Sequence, residues 1–237
     1  MATNNLQRAV VLHAKPHREN TTICQLLTEQ DGRVTAFFRR SKNQDDLTPF
    51  NLYLISAVHG QGDLFFIRQS ELLKRMDTLT GNRLYSGFYI NELIAKLLHQ
   101  VLMPEQCIDW YLTCLSQLHD DNCELEPSLR NFELDLINEL GLAPDYFHCA
   151  ESNQALVDTR AYCFQPDLGW LPAEFAANRY QPVLTGEQIK AIGMRDWQKP
   201  AILKHTKLFM RWWLDNLLGG RPLKSRSLFK QNTKLKF

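Results

Sequence analysis

The segment from Arg33 to Lys42, RVTAFFRRSK, carries side chains suited to binding rather than to bond-breaking. Arg33, Arg39, Arg40 and Lys42 flank Phe37 and Phe38, so cations that can neutralise phosphates adjoin rings on which bases can stack. Neighbours on a strand face opposite ways, so one of the two phenylalanines is expected to point inward. The competing expectation is that both rings are core and the arginine row is a solvated edge. A second basic stretch closes the chain, RPLKSRSLFKQNTKLKF, which sets Arg221, Lys224, Arg226 and Lys230 beside Phe229 and Phe237. A tail of this density is the footprint of a polyanion site, with plain solubility as its alternative.

Motifs for catalysis are missing from the sequence. There is no GxxxxGK[ST] to wrap a nucleoside triphosphate, no GxGxxG, no GxSxG elbow and no HExxH. The histidines at 13, 17, 59, 99, 119, 148 and 205 fall in different segments, and only His13 and His17 are close. Carboxylates such as Asp120 with Asp121, or Glu124 with Glu126, sit at an acidic connection where solvation is the ordinary explanation. A hydrolase using scattered carboxylates is disfavoured, and the expectation is a protein that is not an enzyme.

The net charge of +1 conceals a polarity along the chain. Residues 1–80 carry 10 basic and 8 acidic side chains, residues 81–195 carry 7 and 16, and residues 196–237 carry 10 and 2. With 44% hydrophobic and 22% charged residues the chain is of ordinary globular composition. No run nears the roughly 18 apolar residues that span a bilayer, and MATNNLQRAV lacks a signal-peptide core, so a cytoplasmic location is expected. Cysteines at 24, 107, 114, 123, 149 and 163 form no CxxC pair and read as small buried hydrophobes.

Two domains should hold these groups: residues 1–80 and residues 81–237. In the first, Gln7 to His13, Thr21 to Thr28, Arg33 to Arg39, Asn51 to His59 and Leu64 to Leu72 read as β-strands. That number of strands in about seventy residues points to an OB-fold, with an SH3-like barrel as rival. Arg40 to Pro49 reads as a loop. The pattern then changes to helical at Tyr85 to His99, YSGFYINELIAKLLH, whose broad apolar stripe suits a wall shared by two domains. Gly87 inside it is expected to admit another backbone, or else to be a tolerated surface glycine. Further helices are predicted over Glu105 to His119, Pro127 to Leu140, from Thr185 with Gln188 in capping-box register, and Pro200 to Leu218. Residues 145–182, broken by Pro166, Pro172 and Pro182, read as a small irregular insert in an otherwise all-α domain. Residues 219–237 form the basic C-terminal segment.

QRAVVLHAKPHRENTTICQLLTEQDGRV, LYSGFYINELIAKLL, LRNFELDLINELGLAPDYFHCA, LTGEQIKAI and GGRPLKSRSLF, in this order, resemble the RecO family of bacterial recombination mediators. The resemblance runs over nearly the whole chain. It implies an N-terminal OB-fold, a helical domain and a zinc-finger-like insert. It implies binding of single- and double-stranded DNA, annealing of complementary strands, and loading of a RecA-type recombinase on DNA coated by single-stranded DNA-binding protein. The setting would be the RecF pathway at the bacterial nucleoid, with RecR and the acidic C-terminal tail of the coating protein as partners. By the same analogy, Arg130, Lys190, Lys207 and Arg211 would rim a slot for that tail, with Leu134 and Ile137 as walls. Internal pairing of those cations with Glu133 or Asp135 is the alternative. Some family members hold zinc with four cysteines in the insert. Only Cys149 and Cys163 remain here, with Ser152 and Asn153 among the departures, so no metal and no other cofactor is expected.

The leading expectation is therefore a RecO-like mediator whose barrel and basic tail contact DNA. Its rival is a helical interaction adaptor in which the barrel is merely structural.

Overall fold

Alternation of inward apolar and outward polar residues builds the first part of the computed structural model, which describes residues 6–41, 46–60, 62, 64–76, 78–98 and 104–234, less the side chains of 104–105 and 230–234. Strands β1 (Leu6–Arg18), β2 (Thr21–Thr28), β3 (Gly32–Arg39), β4 (Leu52–His59) and β5 (Leu64–Lys74) close a barrel in the order β1-β2-β3-β5-β4. All neighbours are antiparallel except β3 and β5, which run parallel. This is the OB order, and it decides against the SH3-like rival. Phe38, Ile55, Leu26, Val11 and Cys24 fill the interior, and burial pushes the Cys24 thiol up to about 12.

β1 runs further than the apolar pattern predicts, through Pro16 to Arg18. Beyond Val10 it pairs only with β2 among the described strands, so the missing N–H of Pro16 takes nothing from a second neighbour. The strand bulges at Leu12, where the register with β2 slips between Val11 and His13.

The helices are α1 (Gly81–Leu97), α2 (Pro104–His119), α3 (Leu125–Glu139), α4 (Gly186–Gly193), α5 (Pro200–Leu217) and α6 (Ser225–Lys234). The chain divides into two compact units, residues 1–132 with 223–237, and residues 133–222. These bounds differ from a division at residue 80, because α1, α2 and α6 cluster with the barrel. α1, expected to be a wall between two domains, packs on β1, α2 and α6 inside the first unit. His99 lies outside the described residues.

What approaches Gly87 is a ring rather than the expected backbone. A Cβ there would stand 2.8 Å from Cε1 of Phe50 and 3.0 Å from Cδ1 of Leu79. Phe50 itself adopts φ +72°, a region bulky residues avoid. Its N–H donates to the Val11 carbonyl at 3.0 Å and its side chain is buried, which holds it there. The carbonyl of the bulged Leu12 is met by Nδ2 of buried Asn91 at 2.9 Å, and Asn91 Oδ1 accepts from the Tyr111 hydroxyl at 2.6 Å. Sequence and bulge thus meet in one satisfied polar chain from α2 through α1 to the barrel.

In the second unit the region expected to be an irregular insert in an all-α domain holds two strands of a three-stranded antiparallel sheet, β7-β6-β8, whose third strand directly follows it. Its strands are β6 (Ala161–Gln165), β7 (Gly169–Pro172) and β8 (Val183–Thr185). Tyr162, Phe164, Trp170 and Leu184 are buried, and the Phe164 ring lies 4.5 Å from that of Trp213 and 5.5 Å from that of Phe209 on α5. The capping box at Thr185 and Gln188 opens α4 as its spacing predicts.

Candidate nucleic-acid interface

One outward row of side chains crosses the barrel. Lys15 on β1 stands opposite Ile23 on β2, Ile23 opposite Phe37 on β3, Phe37 opposite Phe66 on β5, and Phe66 opposite Val58 on β4. Phe37 and Phe66 are stacked, with centroids 5.6 Å apart and planes at 21°. The His17 ring lies 5.6 Å from that of Phe37. Phe66 is 41% exposed, a large aromatic left in solvent. Gly60 makes room for it, since a Cβ there would collide with the Phe66 ring. Exposed Arg39 follows Phe37 by two residues along an unbroken register and so shares its ring's face, while exposed Arg68 stands at the bulge of β5, between Ile67 and Gln69. Rings for bases and a guanidinium group for phosphate are thereby brought onto one surface.

The residues expected here divide. Phe37 and Arg39 stand on that face. Phe38 does not: it is 2% exposed and belongs to the barrel core, because alternation turns it inward. Arg33 is half-buried and its Nε donates to the Leu98 carbonyl at 2.5 Å, tying β3 to the end of α1. Arg40 is exposed and pairs with Asp46 at 2.9 Å. Lys42 lies outside the described residues. Sequence reasoning missed His17, Phe66 and Arg68. The nearest signal was the second Phe-Phe pair, in LFFIR, whose neighbour is set by the non-local parallel pairing of β3 with β5.

Within the basic tail Ser225–Lys234 fold as α6, and the start of this helix is fixed by a carboxylate. Glu92 of α1 accepts from the backbone N–H groups of Lys224 at 3.0 Å and Ser225 at 2.9 Å and from the Ser225 hydroxyl at 2.7 Å. Lys96 pairs with it at 2.9 Å. Burial alone would raise Glu92; the bonds from Lys96, Ser225 and Lys224 outweigh it and hold the carboxyl down at about 2. Lys224 is exposed, while Arg226 is half-buried with its guanidinium 5.9 Å from the centroid of Tyr89. The Lys230 side chain is outside those described. Arg221 falls in the second unit, exposed, with Nε donating to the Leu218 carbonyl at 3.2 Å.

Of the residues assigned to a partner tail, Arg130 is 5% exposed and pairs along its own helix with Glu126 at 3.6 Å. It forms no rim. Leu134 and Ile137 are buried core residues rather than walls of an open slot. Lys190 pairs with Asp158 at 2.8 Å, and Arg195 takes Asp135. Lys207 and Arg211 are exposed on α5, with Leu208 between them 51% exposed. They share one helical face at i, i+4 spacing.

The insert does not fit a tetrahedral zinc. The Cys163 thiol is buried and donates to the Pro172 carbonyl at 3.6 Å, and Cys149 is buried. Among the described residues no group of three His, Cys, Asp or Glu side chains is placed to hold a metal. No helix among them is long and apolar enough to cross a membrane.

Family models match the two parts of the chain in turn. Residues 1–76 match the family described as recombination protein O, N terminal, and residues 79–227 match recombination protein O, C terminal. The chain belongs to the RecO family. Among similar RecO-family proteins is the DNA repair protein RecO of Pectobacterium atrosepticum, 36% identical over 95% of this chain and 92% of its own. That of Proteus mirabilis is also 36% identical over the same shares. The Yersinia enterocolitica protein is 37% identical over 95% of this chain and 94% of its own. The boundary between the two RecO models falls just before α1, close to the expected division at residue 80, although α1 packs with the barrel.

Proposed function

We propose that this RecO-family chain is a non-enzymatic DNA repair and recombination mediator. It binds single- and double-stranded DNA, anneals complementary strands and helps load a RecA-type recombinase on DNA coated by single-stranded DNA-binding protein. The observation that carries the reading is the solvent-facing stack of Phe37 on Phe66 with exposed Arg39 on the same face. A merely structural barrel has no use for such a surface, whereas bases stack on it and phosphates pair with its rim. Annealing then needs no bond chemistry: cations reduce the repulsion between two strands, and base pairing supplies specificity and drive.

RecR and the acidic tail of the coating protein are the proposed protein partners, working at the nucleoid in the cytoplasm. For the tail the exposed set on α5, Lys207, Leu208 and Arg211, offers two cations about one apolar side chain. The test of the DNA reading is the binding of labelled oligothymidylate over a salt series. The logarithm of affinity should fall linearly with the logarithm of salt, with a slope of about −0.7 per phosphate neutralised. Affinity that stays flat from low to physiological salt would overturn it.

A further inference from the structure

A cleft of about 690 Å3 opens in the first unit between β1, β2, α1 and α6. Its walls repeat the chemistry of the aromatic row. His13, Gln25, Phe88, Ala95, Lys96 and Lys224 are among its lining. It is also continuous with that row. His13 stands opposite Gln25, and Gln25 opposite Thr35, which precedes Phe37 by two residues on the outward face of β3. Phe88 is 39% exposed, and its ring is braced by Phe50 at 5.4 Å, so its position is fixed before anything binds. The one carboxylate of the lining, Glu92, is already engaged by Lys96 and by the start of α6. Exposed Lys224 therefore leaves the cleft cationic towards a ligand.

We propose that this cleft receives one further nucleotide of a single strand laid along the barrel, its base against Phe88 and its phosphate at Lys224. The inference rests on the barrel being a single-strand surface. A space of this volume lies within the range of small-ligand sites, and Gln25 in its lining offers both a donor and an acceptor to a base edge. A nucleic acid suits the lining better than an apolar peptide, since cationic and amide groups alternate with a single exposed ring.

The test is fluorescence anisotropy of the full chain with oligothymidylates of increasing length. It compares the unmodified protein with Phe88→Ala, Lys224→Glu and the cleft-filling Ala95→Trp, each checked for folding by its melting temperature. The expected result is unaltered affinity for the shortest oligomer that binds and a loss of about tenfold on longer ones, as for removal of one stacked base. Lys224→Glu, at an exposed position, carries the test should a substitution on α1 disturb folding. Affinity equal to the unmodified protein at every length, or lowered by one factor at every length, would overturn the cleft while leaving the barrel reading intact. Failure of the unmodified protein to bind any oligomer would overturn both.

Discussion

Glu92 caps the helix that begins at Ser225, accepting from its backbone N–H at 2.9 Å and its hydroxyl at 2.7 Å. The cap comes from α1, so the same contact that satisfies the start of α6 also docks it. A carboxylate at a helix N-terminus gains from the positive end of the helix dipole as well as from its hydrogen bonds.

A pH dependence follows from the depressed carboxyl. Glu92 titrates near 4.5 when unfolded and about 2 when folded, so its contribution is complete above pH 4.5 and is lost as the pH falls towards 2. Glu92→Gln should lower stability by about 2 kcal/mol at neutral pH and flatten the acid limb of the stability curve. Protection factors of the α6 amides, from hydrogen exchange at pH 6 to 4, should change little for the unmodified protein and be low throughout for the variant. Equal protection in both proteins would show that α6 is held by other contacts.

Asn91 joins the bulge carbonyl of Leu12 to the Tyr111 hydroxyl. Asn91→Leu leaves both groups without their partner in a buried setting, at about 1–3 kcal/mol each. The double variant Asn91→Leu with Tyr111→Phe removes the orphaned hydroxyl and should recover part of that loss. A denaturant double-mutant cycle with no coupling between the two positions would break this account.

Much of this architecture is legible in the sequence because its signals are local. The β-branched run in TTICQLLT, the Thr185 to Gln188 cap and the glycine stop after Leu218 each act within a few residues. Where the sequence misleads, the reasons differ from place to place. Phe66 becomes part of the stack only because β5 runs parallel to β3, and no pattern within LFFIR records that partner. Arg130 looks like a rim cation by type, yet it lies buried against its own helix's Glu126. The short strands over 161–172 span too few residues to show a period of two, and prolines within that stretch imitate a loop.

Gly87 offers a test of packing between α1 and the turn before β4. Gly87→Ala would press a methyl to 2.8 Å from the Phe50 ring, which cannot withdraw without disturbing a residue already held at positive φ. The cost should be about 1–3 kcal/mol by chemical denaturation, despite the gain in helix propensity. Phe50→Leu, which removes the ring edge, should make the alanine better tolerated. If Gly87→Ala raised stability, propensity would outweigh packing and the close contact would not constrain the site.

Phe37 and Phe38 are neighbours in sequence with opposite predicted phenotypes, and the contrast separates binding from folding. Phe38→Ala empties part of the barrel core and should cost about 3–5 kcal/mol of stability. Phe37→Ala removes an outward ring that stacks on Phe66, so its effect on stability should be near the 1 kcal/mol typical of a surface aromatic pair. On binding the order reverses. Phe37→Ala and Phe66→Ala should each weaken oligothymidylate by about 1–3 kcal/mol with an unchanged salt slope, since bases stack on neutral rings. Arg39→Ala with Arg68→Ala should instead make the salt slope shallower, by about one unit or more, because phosphate contacts set it. Parallel anisotropy and denaturant measurements on these variants decide the matter. If Phe37→Ala bound as well as the unmodified protein while Arg39→Ala with Arg68→Ala did not, the surface would be an electrostatic one and the stack would have no part in holding bases.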